Sequence, residues 1–321
     1  MFINKLKDIG KEHLHTVVEC IVLLSDVKIK VSRNGKEYAD IIIQDRSKAM
    51  EVKLWDYEKY SDFFQSLDNN SIVKVHGQVG EYQSQLQLTI KEIEKYEKAD
   101  ISIKDFIPTS NVQIDSMING LKGYYNKVQS EHLKVLLDKM IFEEENFNKF
   151  MTYPAAKKVH HNFYHGLIHH TLELLSYAQT VAKVKKLTQH QYERLIVMCM
   201  LHDWAKTLEY KALPDIGFTE EGTMLGHIFM GAHYTLNAIN TIPNFNHNDK
   251  LVILNGILGH HGSLEFGSPV LPKTVEAQIL HQIDKLSGDI ESILSFIEDH
   301  SEDEEMFTGK LWNMGTDYYK G

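Results

Sequence analysis

The chain has 321 residues, 43% of them apolar, with 34 Lys and Arg against 44 Asp and Glu, 18 His, 6 Pro and 2 Cys. The length suits two domains better than one, the apolar share excludes a wholly disordered chain, and two cysteines exclude a disulfide scaffold or a Cys-rich zinc module. No run approaches the roughly 18 apolar residues of a membrane span, and the opening MFINKLKDIGKEHLH lacks the apolar centre of a secretion signal, so a soluble cytoplasmic protein without a membrane partner is expected.

A net charge of −10 argues at first against a nucleic-acid partner. Its location changes that reading. Residues 1–100 carry a net −2 and residues 101–297 a net −3, whereas the eight residues 298–305 (EDHSEDEE) alone carry −6. The acidic run reads as a solvated helix end or tail.

In chain order, residues 14–95 read as β structure. HTVVECIVLLSDVKIKVS is a long β-branched run, and RNG (Arg33 to Gly35) is a turn signal. YADIIIQD and AMEVKLWD follow as strands. YEKYSDFFQSL has helical spacing through Tyr57, Tyr60, Phe63, Phe64 and Leu67, and SIVKVHGQVGEY and QLQLTIKEIEKY give two more strands. Five strands with a helix between the third and fourth is the OB-fold order. From about residue 110 helical periods dominate, from IDSMINGLKGYYNKVQ to EAQILHQIDKLSGDIESILSFI. The expected class is β plus α in separate domains: a five-stranded OB-fold barrel over 1–100, a helical connector over 101–150, an all-α domain over 151–300 and a tail over 301–321. Apolar faces such as LKVLLDKMIF could pack between subunits, so a homo-oligomer is expected.

Thirteen of the 18 histidines lie between His160 and His281. The strongest motif is Met200-Leu201-His202-Asp203-Trp204-Ala205-Lys206, a His-Asp pair late in an apolar helix. Lys206 lies about one turn beyond Asp203 and can face the same pocket. A single His-Asp dipeptide is weak evidence; the surrounding order strengthens it. His170 sits in the helical GLIHHTLEL, His227 follows Gly226 at a helix start, His260-His261-Gly262 ends a helix, and Asp284 is a carboxylate on an otherwise apolar helix that needs a partner. Imidazoles and carboxylates suit Mn²⁺, Fe²⁺, Co²⁺ or Zn²⁺, and an aspartate can bridge two ions. The bland alternative, a set of unrelated core and surface histidines, fits a single residue better than it fits the ordered set. His160, His161 and His165 crowd the start of the His170 helix, where substrate contact and plain surface placement are both open. Cys20 and Cys199 sit in apolar runs and read as core.

The ordered set resembles the HD-domain superfamily of metal-dependent phosphohydrolases. His170 matches the first histidine, His202 and Asp203 the defining doublet, and Asp284 the last aspartate. His227 and the His260-His261 pair match the extra histidines of two-metal members, which implies a dinuclear site held by His170, His202, Asp203, His227, His260 and Asp284. The family often has an acidic residue where His169 stands, which leaves His169 and His170 as alternatives for the first ligand, with His170 favoured by register. Asp203 would bridge the two ions, and a hydroxide drawn from a shared water of lowered pKa would attack phosphorus in line. Asp203, Lys206 and His261 form the expected catalytic group, Lys206 neutralising a phosphate oxygen or assisting the leaving group and His261 lying behind the ligands or on phosphate.

An OB barrel binds single strands by stacking bases on aromatic rings beside a basic groove. Tyr38, Lys53, Trp55 and Tyr82 are the candidates here, with Arg33, Lys36, Arg46 and Lys48 in or near the turns. Alternation places Lys53 and Trp55 opposite Val52 and Leu54; each aromatic could equally be barrel core. An OB-like barrel followed by an HD domain in about 320 residues resembles the YhaM-type 3′→5′ exoribonucleases of Gram-positive bacteria. The resemblance implies manganese- or cobalt-supported release of nucleoside 5′-monophosphates from single-stranded RNA, with single-stranded DNA as a further substrate class. Two other readings stay open: a phosphodiesterase or nucleotidase acting on a small nucleotide, and a non-catalytic single-strand-binding regulator.

Overall fold

The computed structural model describes the chain except residues 33, 68–69, 83–84, 99–100, 102, 108, 111, 157–162, 213–216 and 302–304, and the side chains of Tyr82, Gln85, Ile103, Lys104 and Asp299. Two compact units emerge, one over Met1–Thr109 with Ala212–Gly217 and one over Ser110–Lys211 with Phe218–Gly321.

The first unit is a closed barrel in the order β1-β2-β3-β5-β4. Its long first strand, β1 (Val17–Val31), serves two partners. Val17–Leu23 pairs antiparallel with β4 (Ile72–Tyr82), and Leu23–Val31 pairs antiparallel with β2 (Glu37–Gln44). A register shift between Leu24 and Asp26 marks where the strand turns from one partner to the other. β3 (Ala49–Leu54) pairs antiparallel with β2 and closes the barrel by parallel pairing with β5 (Gln85–Lys95), Val52 opposite Leu88. The period-2 pattern fills the interior: Val18, Cys20, Val22, Ile41, Ile43, Val52, Leu54, Val73, Val75 and Leu88 are buried together. The expected helix between β3 and β4 is present as α1 (Ser61–Ser66), entered through a 3₁₀ turn at Tyr57–Tyr60.

The second unit is helical. Its helices are α2 (Ile114–Tyr125), α3 (Glu131–Leu137), α4 (Glu144–Thr152), α5 (Gly166–Lys185), α6 (Gln189–Leu201), α7 (Lys206–Glu209), α8 (Glu220–Asn240), α9 (His247–Gly259) and α10 (Val275–Asp299). The segment read as a connector, 101–150, supplies α2, α3 and most of α4, and Met117, Leu121, Leu133 and Phe150 lie in the same core as Leu174, Ile196 and Leu280. Burying those stripes against α5 and α6 removes far more apolar surface from water than a free linker could. For the same reason LKVLLDKMIF does not offer its apolar face to another subunit. Leu133, Leu136, Leu137, Met140 and Ile141 are buried within the chain, where α3 and the π-helical turn after it pack on α6 and α8. Residues 305–321 fold back on themselves through antiparallel bridges, Phe307 to Tyr319 and Leu311 to Thr316. No described helix is long and apolar enough to cross a membrane.

Candidate metal centre

Helices α5, α6, α8, α9 and α10 each deliver one part of the site. α6 begins with a capping box in which Thr188 Oγ1 accepts from Gln191 N and Gln191 Oε1 accepts from Thr188 N. Its last turns, Leu195–Leu201, are wholly buried, which fixes the helix and sets His202 and Asp203 at its exit in the interior. α5 contributes His170, also buried. The alternatives at the first position separate here: His169 turns away, its Nδ1 3.1 Å from Ser110 Oγ, whereas His170 Nε2 lies 3.1 Å from Asp284 Oδ1. α10 carries Asp284 and α9 ends on His260.

His227 is placed by a break in α8. Gly226 has φ +70°, outside the helical region and open to glycine at little steric cost. The break frees the backbone N–H of His227 to donate to Glu209 Oε1 at 2.9 Å, and the ring Nδ1 donates to the same oxygen at 3.0 Å. Gly222, one turn earlier, sits so close to the Glu209 backbone that an added Cβ would lie 2.2 Å from the Glu209 carbonyl oxygen.

The structure brings all six expected ligands together. His170, His202 and Asp203 each offer a ligand atom within 4.8 Å of the others, as do His227, His260 and His261. Asp203 stands between the groups. Its Oδ2 is 3.2 Å from His202 Nε2 and 3.7 Å from His170 Nε2, while its Oδ1 is 3.5 Å from His227 Nε2 and 3.7 Å from His260 Nε2.

The outer nitrogen of each ring decides what the inner one can do. His202 Nδ1 donates to the Cys199 carbonyl at 3.0 Å, His260 Nδ1 to Ile257 at 2.7 Å and His261 Nδ1 to Phe266 at 2.8 Å. His170 Nδ1 donates to Ser287 Oγ at 3.2 Å, and that hydroxyl donates to Glu173 Oε2 at 2.9 Å. With the proton held at Nδ1, a neutral imidazole turns its Nε2 lone pair inward. Among the described residues, His202 Nε2, His227 Nε2, His260 Nε2 and Asp203 Oδ1 are buried with no hydrogen-bond partner. Lone pairs facing carboxylate oxygens in a dry interior repel one another unless a cation lies between them. The donor set therefore fits divalent metal, and its nitrogen and oxygen chemistry without thiolate suits Mn²⁺, Fe²⁺, Co²⁺ or Zn²⁺.

The electrostatics agree. Burial alone would raise Asp203, but the ammonium of Lys206 and then His202 more than reverse this and hold the carboxylate well below its usual range. Burial pushes His260 well below the usual histidine range, into the neutral form that ligates metal. Lys206 Nζ is 2.7 Å from Asp203 Oδ2; burial would lower its pKa, and that carboxylate more than compensates, so it stays charged. His170, Asp203, Lys206, His260, His261 and Asp284 all line one cavity of about 470 Å³.

Sequence reading missed Glu209, Ser287, Glu173 and His281. Ser287 lies one turn after Asp284, so helical spacing could have flagged it. Glu209 reaches His227 only through the tertiary fold. His281 lines the cavity and donates from Nδ1 to the His260 carbonyl at 2.8 Å. Of the other histidines, His165 donates to the Met151 carbonyl at 2.5 Å, and His160 and His161 lie outside the described residues.

On the barrel, Val52 and Leu54 point inward and Trp55 is exposed. Tyr38 and Trp55 form a tilted pair with ring centroids 4.9 Å apart and sit on the outside, not in the core. Lys53 Nζ lies 5.5 Å from the Tyr38 ring centre. Its charge is partly offset, because buried Asp40 binds both Lys53 and Lys30 at 2.6 Å. Tyr82 ends β4, and its side chain, like the whole of Arg33, lies outside the described residues.

Residues 21–96 match the family model of the OB-fold nucleic acid binding domain, and residues 167–289 match that of the HD domain. The chain thus joins an OB-fold to an HD domain of the metal-dependent phosphohydrolase type. Among solved structures, the mitochondrial single-stranded DNA binding protein Rim1 of S. cerevisiae is similar at 15% identity over 26% of this chain and 99% of its own, with a TM-score of 0.24. The second OB-fold domain of replication protein A from Methanococcus maripaludis is similar at 18% identity over 31% of this chain and 98% of its own, TM-score 0.23. The OB domain of Ta0387 from Thermoplasma acidophilum is similar at 14% identity over 32% of this chain and 92% of its own, TM-score 0.25.

Proposed function

We propose that the protein is a metal-dependent 3′→5′ exoribonuclease that releases nucleoside 5′-monophosphates from single-stranded RNA, with single-stranded DNA as a further substrate. The observation that carries the hydrolytic part is the convergence of the buried, unpartnered Nε2 atoms of His202, His227 and His260 around Asp203, which with His260 lines the cavity. Direction and product rest on the resemblance to YhaM-type enzymes.

His170, His202 and Asp284 would hold one ion and His227 and His260 the other, with Asp203 shared between them; His261, close enough to His227 and His260 to join the second set, would otherwise face phosphate. Divalent ions held there supply charge neutralisation at phosphate oxygens and a water of lowered pKa. Lys206 uses one N–H on Asp203 and keeps two for a phosphate oxygen or the departing one. Glu209, Ser287 and Glu173 fix ring orientation, so the site is arranged before substrate arrives. The Tyr38–Trp55 pair would stack bases of the strand upstream.

A second reading, hydrolysis of a small nucleotide, draws support from Asp40: by offsetting one of the two charges of Lys30 and Lys53 it lowers the barrel's hold on a phosphate backbone. A time course with 5′-labelled RNA and Mn²⁺ separates the readings. A ladder shortening from the 3′ end supports the exonuclease, immediate release of the labelled 5′ nucleotide reverses the direction, and intact RNA beside a cleaved dinucleotide favours the small substrate.

A further inference from the structure

The cavity that holds the metal ligands has a second wall that the hydrolytic reading does not use. Trp312, Asn313 and Met314 from the tail line it together with Phe266 from the segment after α9. Trp312 is 82% exposed and Phe266 is 67% exposed.

Large aromatic rings are normally removed from water when folding allows. Here the backbone holds one out. Leu311, the residue before Trp312, is buried and bonds through its N–H to the Thr316 carbonyl at 2.8 Å. Met314 N and Gly315 N donate back to the Leu311 carbonyl at 3.1 and 2.8 Å, closing a tight turn with Trp312 at its tip. Gly315 has φ +72°, as such a turn requires. Thr308 N donates to the Tyr318 carbonyl at 2.8 Å, and Lys320 Nζ donates to the His300 carbonyl at 2.9 Å just past α10, so the turn is tied to the helix that carries Asp284. Phe266 is tied to the same centre from the other side, since its carbonyl accepts from His261 Nδ1 at 2.8 Å.

Two exposed aromatic rings, from separate parts of the chain, thus stand on the wall of a cavity whose floor is a cluster of histidines and carboxylates. The volume of about 470 Å³ lies within the range of small-ligand sites. A ligand matching both features has a flat π face joined to a phosphate. We propose that Trp312, with Phe266, forms a nucleobase-stacking subsite for the nucleotide whose phosphate lies at the metal ligands. This deepens the hydrolytic reading and rests on it for the identity of the phosphate.

Stacking on an aromatic ring is sequence-tolerant because every base has a π face. The subsite would accept all four bases and favour purines only by their larger overlap. It makes the active centre itself a reader of the terminal nucleotide, independent of the barrel.

The test is equilibrium binding to the full-length protein with Mn²⁺, comparing adenosine 5′-monophosphate with ribose 5-phosphate, which lacks the base. Wild type is expected to prefer the nucleotide by about 5- to 100-fold, and its tryptophan emission is expected to change on binding. In Trp312→Ala the preference falls towards one and the emission change is lost; Trp312→Phe keeps an intermediate preference; Phe266→Ala loses part of it. No preference in wild type, or an undiminished preference in both alanine variants, overturns the proposal. So does a change in sedimentation of Trp312→Ala with the preference intact, which would make the ring a contact between copies of the chain. A protein that shows the base preference but cleaves no phosphodiester refutes the hydrolytic reading and leaves the subsite standing.

Discussion

His170 Nε2 faces Asp284 Oδ1 across 3.1 Å, with the other ring nitrogen already bonded to Ser287. Two acceptors at that distance need a proton or a metal ion between them. The same competition holds at His202, where burial lowers the pKa and the charges of Asp203 and Asp284 more than reverse it. Divalent metal and protons are therefore rivals for one set of atoms, and loading the site is expected to release protons. Isothermal titration with Mn²⁺ in buffers of different ionisation enthalpy measures this. A binding heat independent of buffer would count against it.

Glu209 orients His227 without touching the centre of the site. Glu209→Gln keeps the shape and removes the charge, and is expected to weaken Mn²⁺ binding by about 10- to 100-fold. Gly226→Ala acts through the same bond by straining the positive φ at the break in α8. Equilibrium dialysis of both variants checks this, with circular dichroism to confirm that the helices remain.

Asp40 restrains the barrel. Removing its charge in Asp40→Asn leaves Lys30 and Lys53 unpaired by it, and RNA binding should tighten while its salt dependence steepens by about one unit of slope. Replacing both Tyr38 and Trp55 by alanine should do the reverse to affinity, by about 1–3 kcal/mol for each lost base stack, with little change in slope. Filter binding over a range of salt concentrations distinguishes the two effects.

A second buried cluster stabilises the helical unit far from the cavity. Asp249, wholly buried, accepts from His132 Nε2 at 2.6 Å, from His190 Nε2 at 2.9 Å and from Arg194 Nε at 2.7 Å. Burial raises its pKa, but those hydrogen bonds outweigh it and hold the carboxylate below its usual range. A group depressed in the fold stabilises it above the unfolded pKa of about 3.9 and loses that contribution as pH falls through the folded value. Asp249→Asn should cost roughly 3–5 kcal/mol at neutral pH and flatten the acid limb of stability. Urea unfolding of both proteins from neutral pH down past the unfolded pKa of about 3.9 reads this directly.

How much of this was legible beforehand differs by element. The barrel was readable because period-2 burial at Val52, Leu54, Leu88 and Ile90 is a local signal, and the five strands and the helix between the third and fourth appear where the alternation places them. The clustering of these side chains was readable because His170, His202, Asp203, His227 and His260 each fall on or next to a helix, where a fold can gather them. The role of residues 101–150 was not readable, since an amphipathic stripe such as Leu133 and Leu137 does not say which surface will cover it. Glu209 and Trp312 were hidden for a related reason: one acts through a kink at Gly226 and the other through a turn closed around Leu311, both products of tertiary folding.

In the proposed hydrolase Asp203 joins two ion sites. Metal analysis of the protein after equilibration with Mn²⁺ and removal of free ion tests it most directly. Wild type should retain two ions per chain and Asp203→Asn should retain at most one, bound more weakly. Retention of no ion by wild type, or full retention by Asp203→Asn, would rule out this role for Asp203.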